Sequence, residues 1–163
     1  MTPEERDAFL AEQRTVRVGT INPDGSAHVT PVWYSWHDGS LWVLSITRSQ
    51  RWANLARDPR VAVVVDDGHH YHELRGVEIE GEAVMVGPVP RTGGQDQPAP
   101  ELAEPERLMA AKYFGGGGMI HDGRHGWLRV TPLKITSWDF RKLATLPGEA
   151  RPAPKNSERT EPR

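Results

Sequence analysis

Between Arg14 and Ile46 the chain reads RTVRVGTI, NPDG, S, AHVTPVWYSW, HDG, SLWVLSI. The three long runs alternate apolar and polar residues or are rich in β-branched and aromatic ones, the patterns of strands. Both interruptions are tight turns, with Pro and Gly where a turn favours them. A parallel pair needs a crossover of a dozen or more residues, and neither turn has room for one. The first third of the chain is therefore expected to be an antiparallel meander.

Further along, Arg60–Asp67 (RVAVVVDD) is a nearly unbroken apolar run, expected as a strand covered on both faces. Tyr71–Val86 alternates, with Gly76 and Gly81 inside it as expected bulges or barrel corners. His125–Pro132 and Lys134–Lys142 are expected as two last strands. Helices are fewer and short. Thr2-Pro3 with Glu5 reads as a capping box opening a helix over Pro3–Gln13, Ser49 caps one over Gln50–Arg57, and Glu101–Phe114 has helical spacing. Seven strands without a repeating strand–helix unit exclude a doubly wound parallel sheet. The fold class is mainly β, an antiparallel split β-barrel with a few short helices.

Residues 1–145 are expected to form one barrel domain, and the Pro-rich, charged stretch 146–163 a disordered tail. With a net charge of −2 the chain has no general attraction to nucleic acid or anionic membranes. Sixteen of its 20 basic residues are arginine, suited to bidentate anion contacts where they cluster. No cysteine is present, which removes disulfides, thiolate metal sites and thiol nucleophiles together. No long apolar run marks a signal peptide or membrane span, so a cytoplasmic location is expected.

Several motifs are weak. Gly115–Gly118 lacks the register of a dinucleotide loop and follows a helix rather than a strand, so a flexible, lid-like loop is expected. His69, His70 and His72 sit in a connection without fixed convergence, and no metal site is assigned. No G-x-S-x-G elbow supports a nucleophilic triad. Of neighbouring Trp33 and Tyr34, one must face a surface or an interface, because strand side chains alternate.

The strongest signal is SITRSQRW, Ser45–Trp52, where a strand passes into a helix. Hydroxyls, helix-start N–H groups and arginines make an anion cradle. Ser49 also serves as a plain helix cap, and Trp52 either closes over a flat ring or staples the helix to the barrel.

The run GTINPDGSAHVTPVWYSWHDGSLWVLSITRSQRWANLARDPRVAVVVDD, followed by LRGVEIEGEAVMVG, resembles the pyridoxamine 5′-phosphate oxidase-like FMN-binding split barrels. It looks most like the actinobacterial flavin/deazaflavin oxidoreductases among them, over roughly Ala8 to Lys142. The resemblance implies a homodimer with a cofactor groove between subunits and a small-molecule substrate. It places Ser49, Gln50 and Arg51 at the cofactor phosphate and Thr30, Pro31 and Val32 at the ring edge. Ser45, Ile46 and Thr47 would lie along the ring, Trp52 beside it, and Trp138 would reach in from the partner subunit. Asn54 and Leu55 would be structural. The implied cofactor is the deazaflavin coenzyme F-420, with FMN as the alternative and a non-enzymatic flavin or haem carrier as the rival. The second strand carries no lysine and the last strand no Arg-x-His, so oxidation of pyridoxamine phosphate is not expected. No catalytic acid is assigned; His28, Tyr71 and His72 are candidates if they reach the groove, and Arg48 or Arg75 could hold an anionic group.

Overall fold

The computed structural model describes residues 1–93 and 97–145; the expected tail at 146–163 lies outside them. The elements run α1 (Pro3–Glu12), β1 (Val16–Ile21), β2 (Ala27–Val32), β3 (Tyr34–His37), β4 (Ser40–Ile46), α2 (Gln50–Arg57), β5 (Arg60–Asp67), β6 (Arg75–Val86), α3 (Ala103–Tyr113) and β7 (His125–Asp139). The strands form one seven-stranded sheet in the order β2-β1-β5-β6-β7-β4-β3, and every pairing is antiparallel. The edges of this curled sheet, β2 and β3, are consecutive in the chain and separated only by Trp33. The chain thus steps from one edge to the other in a single residue and closes the sheet into a split barrel.

The count of seven strands holds, but two are made differently from the sequence expectation. The run Ala27–Trp36 breaks at Trp33, because its first half pairs with β1 and its second with β4. The last two expected strands are one strand of 15 residues, since a register shift at Glu80/Gly81 absorbs the irregularity at Pro132 and Leu133. The shift falls at Gly81, but the extra residue is Leu133 on β7, so Gly81 faces the bulge rather than forming it. Gly76 serves close approach instead: a Cβ there would stand 2.3 Å from the Trp138 ring.

Strand β5 is buried on one face only. Val61, Val63 and Val65 point into the barrel, while Arg60, Ala62 and Asp66 are exposed. The reason is that the helical cover lies elsewhere. The segment around Leu102 and Met109 packs with Trp42 and Trp127 on the outer face of β4 and β7, leaving the outer face of β5 bare. Inside the barrel, Val18, Val43, Val63, Ile79 and Leu128 form the main core, Phe9 and Leu10 of α1 join it, and so do Trp52 and Leu55 of α2. Each such side chain contributes about 1.5–3 kcal/mol by leaving water. Tyr34, fully buried, donates its hydroxyl proton to the Leu10 carbonyl at 2.7 Å, tying α1 to β3. Thr2 and Glu5 form the expected capping box and Ser49 the expected cap. Among the described residues no helix is long and apolar enough to cross a membrane.

Candidate functional site

Strand β3 pairs with β4 only as far as Tyr34 opposite Val43. Beyond it, Leu44, Ser45 and Ile46 keep their ladder with β7 but have no strand on the other side. Strand β2 is likewise unpartnered along its outer edge. Among the described residues the split is therefore bordered by two strand edges without a ladder partner, and the Ile46 carbonyl turns instead to the Ser49 N–H at 3.1 Å.

Arg51 crosses this gap from α2. Its guanidinium donates to Thr30 Oγ1 on β2 and, at 3.0 Å, to Ser45 Oγ on β4. The residue is 6 % exposed, and among the described residues its Nε has no acceptor and no carboxylate pairs with it. Burial also pulls its proton affinity below that of an ordinary arginine. Buried charges are ordinarily paired. Arg91 shows the ordinary solution: it is similarly buried, but Glu106 takes its Nε at 2.9 Å and also accepts from His121 across 3.1 Å. Burial pushes the Glu106 carboxyl up, and the Arg91 and His121 contacts outweigh that and leave it low. That cluster pins the segment after β6 to α3; its members lie far apart in sequence and no motif announces them.

The position of α2 is set by two contacts. Asn54, buried, donates to Thr20 Oγ1 at 3.0 Å and Asn22 Oδ1 at 2.9 Å, and accepts from Gln50 at 2.9 Å. Trp52, 8 % exposed, packs where Gly126 leaves room; a Cβ there would lie 2.6 Å from the indole. This packing staples α2 to β7. Asn54 and Leu55 are structural, as the resemblance implied.

The structure brings Thr30, Ser45 and Arg51 together, with Val32 half-buried along the same face of β2. Ser49 caps α2 by accepting from the Trp52 N–H at 3.2 Å, leaving the N–H groups of Gln50 and Arg51 as the helix's open donors. Thr47 is tied by its N–H and hydroxyl to the Arg124 carbonyl, 3.0 and 3.1 Å away. Pro31 and Ile46 are exposed on the two lips. Trp138 is not brought in within one chain: it stands opposite Gly76, twelve residues along β7 from Gly126, roughly 40 Å at strand rise. Tyr71 and His72 also sit at that far end, Tyr71 against Phe140. His28 alone of the acid candidates shares the inner face of β2 with Thr30. Arg75 pairs with Asp67 at 2.7 Å, its structural role, while Arg48 is exposed. Among the described residues no three metal-binding side chains gather.

Sequence and fold comparisons agree with this geometry. The family model described as pyridoxamine 5′-phosphate oxidase matches residues 2–139. A conserved hypothetical protein of Mycobacterium tuberculosis, Rv2991, is 30% identical over 93% of this chain and 92% of its own, with a TM-score of 0.72. A structure described as an F420 reductase is 21% identical over 83% of this chain and 98% of its own, TM-score 0.62. HutZ, described as a heme storage protein of Vibrio cholerae, is 14% identical over 84% and 93%, TM-score 0.61. The last two share the fold. No curated protein matches the sequence.

Proposed function

The chain belongs to the pyridoxamine 5′-phosphate oxidase family, and on that premise we propose that it binds the deazaflavin coenzyme F-420 in the split and acts as a reductase of a small conjugated acceptor. One observation carries the reading: Arg51 is a buried cation with, among the described residues, an unused Nε and no carboxylate partner. An anionic phosphate is the group that completes such a site, through charge-assisted hydrogen bonds. The strand edges of β2 and β4, unpaired among the described residues, suit the polar rim of a flat ring in the same gap. The likeness to an F420 reductase supports the choice of deazaflavin over FMN.

A bound deazaflavin would supply a hydride to the acceptor. The chain's own part is positional. Arg51, with Thr30 and Ser45, would hold the phosphate; the open N–H groups of Gln50 and Arg51 add the positive end of α2. The strand edges would orient the ring, and the two lips would exclude water, the protein's usual share in cofactor chemistry. Val29 and Ile46, apolar and exposed beside the split, suit a groove completed by a second copy of the chain, the homodimer proposed with this reading.

The test is a fluorescence titration of cofactor-free protein with F-420 and with FMN, repeated on Arg51→Met, with sedimentation giving the assembly state. Micromolar or tighter F-420 binding, weakened about 10- to 100-fold in the variant, supports the proposal. Preferential FMN binding replaces the cofactor, and binding of neither sinks the reading.

A further inference from the structure

Trp33, the one residue between β2 and β3, is 48 % exposed, while its neighbour Tyr34 is fully buried. An exposed indole usually swings freely. This one lies flat on Tyr113, ring centroids 4.6 Å apart and planes 13° apart, with the edge of Phe114 at 5.8 Å. Tyr113 is itself held. Its hydroxyl accepts from the Tyr34 N–H at 3.2 Å and donates to the Arg14 carbonyl at 2.7 Å, and the Arg14 guanidinium sits 4.9 Å from its ring centre. Trp33 is thus backed by a fixed ring on one face and, among the described residues, keeps nearly half of its surface exposed.

Its place matters as much as its backing. It stands at the lip of the split, three residues beyond Thr30, about 10 Å along extended chain and close to the length of a fused ring system. Beside it the loop after α3 is bare: a Cβ at Gly115, Gly116 or Gly118 would meet nothing within 4 Å.

We propose that Trp33 is the stacking platform for the acceptor and selects flat, fused conjugated rings over open-chain acceptors; this rests on the cofactor reading above. The face is pre-organised, so stacking a ring on it immobilises no further protein side chain. Offset stacking is the geometry aromatic pairs prefer. Tyr113 and Phe114 are positioning residues that hold the indole in plane.

The experiment compares wild type, Trp33→Ala and Trp33→Phe. F-420 affinity and sedimentation are measured first, then KM and kcat with reduced F-420 for naphthoquinone and for crotonaldehyde. In the quinone reaction reduced F-420 gives up a hydride and its ring N–H proton to become oxidised F-420; the hydride and one proton from water form the hydroquinone, and the N–H proton returns to water. Equilibrium binding of naphthoquinone to protein carrying oxidised F-420 gives a readout without turnover. The expected result is an about tenfold rise in both KM and dissociation constant for naphthoquinone in Trp33→Ala. F-420 affinity, kcat and the crotonaldehyde KM stay unchanged, and Trp33→Phe recovers most of the loss. Unchanged naphthoquinone constants in a protein that binds F-420 overturn this proposal alone. So does loss of F-420 affinity or of the dimer in Trp33→Ala, which would make Trp33 a cofactor or interface residue. Failure of wild type to bind F-420 overturns both readings.

Discussion

Replacing Arg51 by methionine separates two roles the same geometry allows. As a clip, Arg51 holds the split together through Thr30 and Ser45, and its loss destabilises the protein. As an anion site, it is a charge kept out of water without a counter-charge, and its removal relieves a penalty of several kcal/mol. Against that relief stands the Ser45 hydroxyl, fully buried, which loses its donor at a cost of about 1–3 kcal/mol. Thr30 is only half-buried and finds water more readily. Methionine has similar reach and contributes apolar burial at this 6 %-exposed position. The expected net is a cofactor-free protein more stable by about 1–3 kcal/mol, a rise in Tm of roughly 3–8 °C at this chain length. Saturating cofactor at about 100 times its Kd adds about 2.7 kcal/mol to wild type and much less to the variant, so the two Tm values converge or cross. Thermal unfolding with and without F-420 reads both effects. A cofactor-free variant that melts lower, with undiminished F-420 affinity, would refute the argument and leave Arg51 as a clip.

Other outcomes follow from named contacts. Gly126→Ala drives a methyl into Trp52 and should cost about 1–3 kcal/mol in denaturant unfolding, with F-420 affinity falling as α2 shifts. Asn54→Leu strands Thr20, Asn22 and Gln50 at once and should cost about 2–3 kcal/mol, read the same way. Burial, helped by the Arg14 charge, lowers Lys112 to about 8 from an ordinary lysine's 10.5. Between those pH values the unfolded chain holds more protons than the folded one, so unfolding free energy should climb as pH rises through that window. Lys112→Met should flatten the climb; a slope of the same size in the variant would remove Lys112 as its cause.

What the sequence disclosed was local. Turns such as NPDG, the caps at Thr2 and Ser49, and the strand alternation all act within a few residues; the turn and the caps appear where expected, while β6 starts only at Arg75, after a 3-10 turn over Tyr71–Glu73, and β7 ends at Asp139 rather than Lys142. The break at Trp33 was hidden because nothing in AHVTPVWYSW tells that its halves pair with different strands. The join of the last two strands depends on Leu133 bulging against β6, whose Glu80 and Gly81 lie some fifty residues away. Strand β5 misled because an unbroken valine run looks the same whether one face or two are covered. At the site, the hydroxyl–arginine cluster was legible since Ser45 and Arg51 share one turn and the resemblance supplied Thr30. The seat of Trp52 could not be read from its own stretch, because Gly126 opposite it lies over seventy residues on. The Trp33–Tyr113 stack joins residues eighty apart, and no spacing rule reaches that far.

The pairing of β4 with β7 has a consequence for how the protein is made. Residues 41–46 hydrogen-bond to residues 125–130, so while the chain is being synthesised the third quarter of the meander waits for its neighbour. Until His125 and Gly126 leave the ribosome, Trp52 has no seat and Thr47 no anchor at Arg124. Strands β1, β2, β5 and β6 can associate earlier, but contacts of such wide separation form slowly. The nascent chain therefore carries an open edge, and a cofactor has nothing to bind until nearly all of the barrel has emerged.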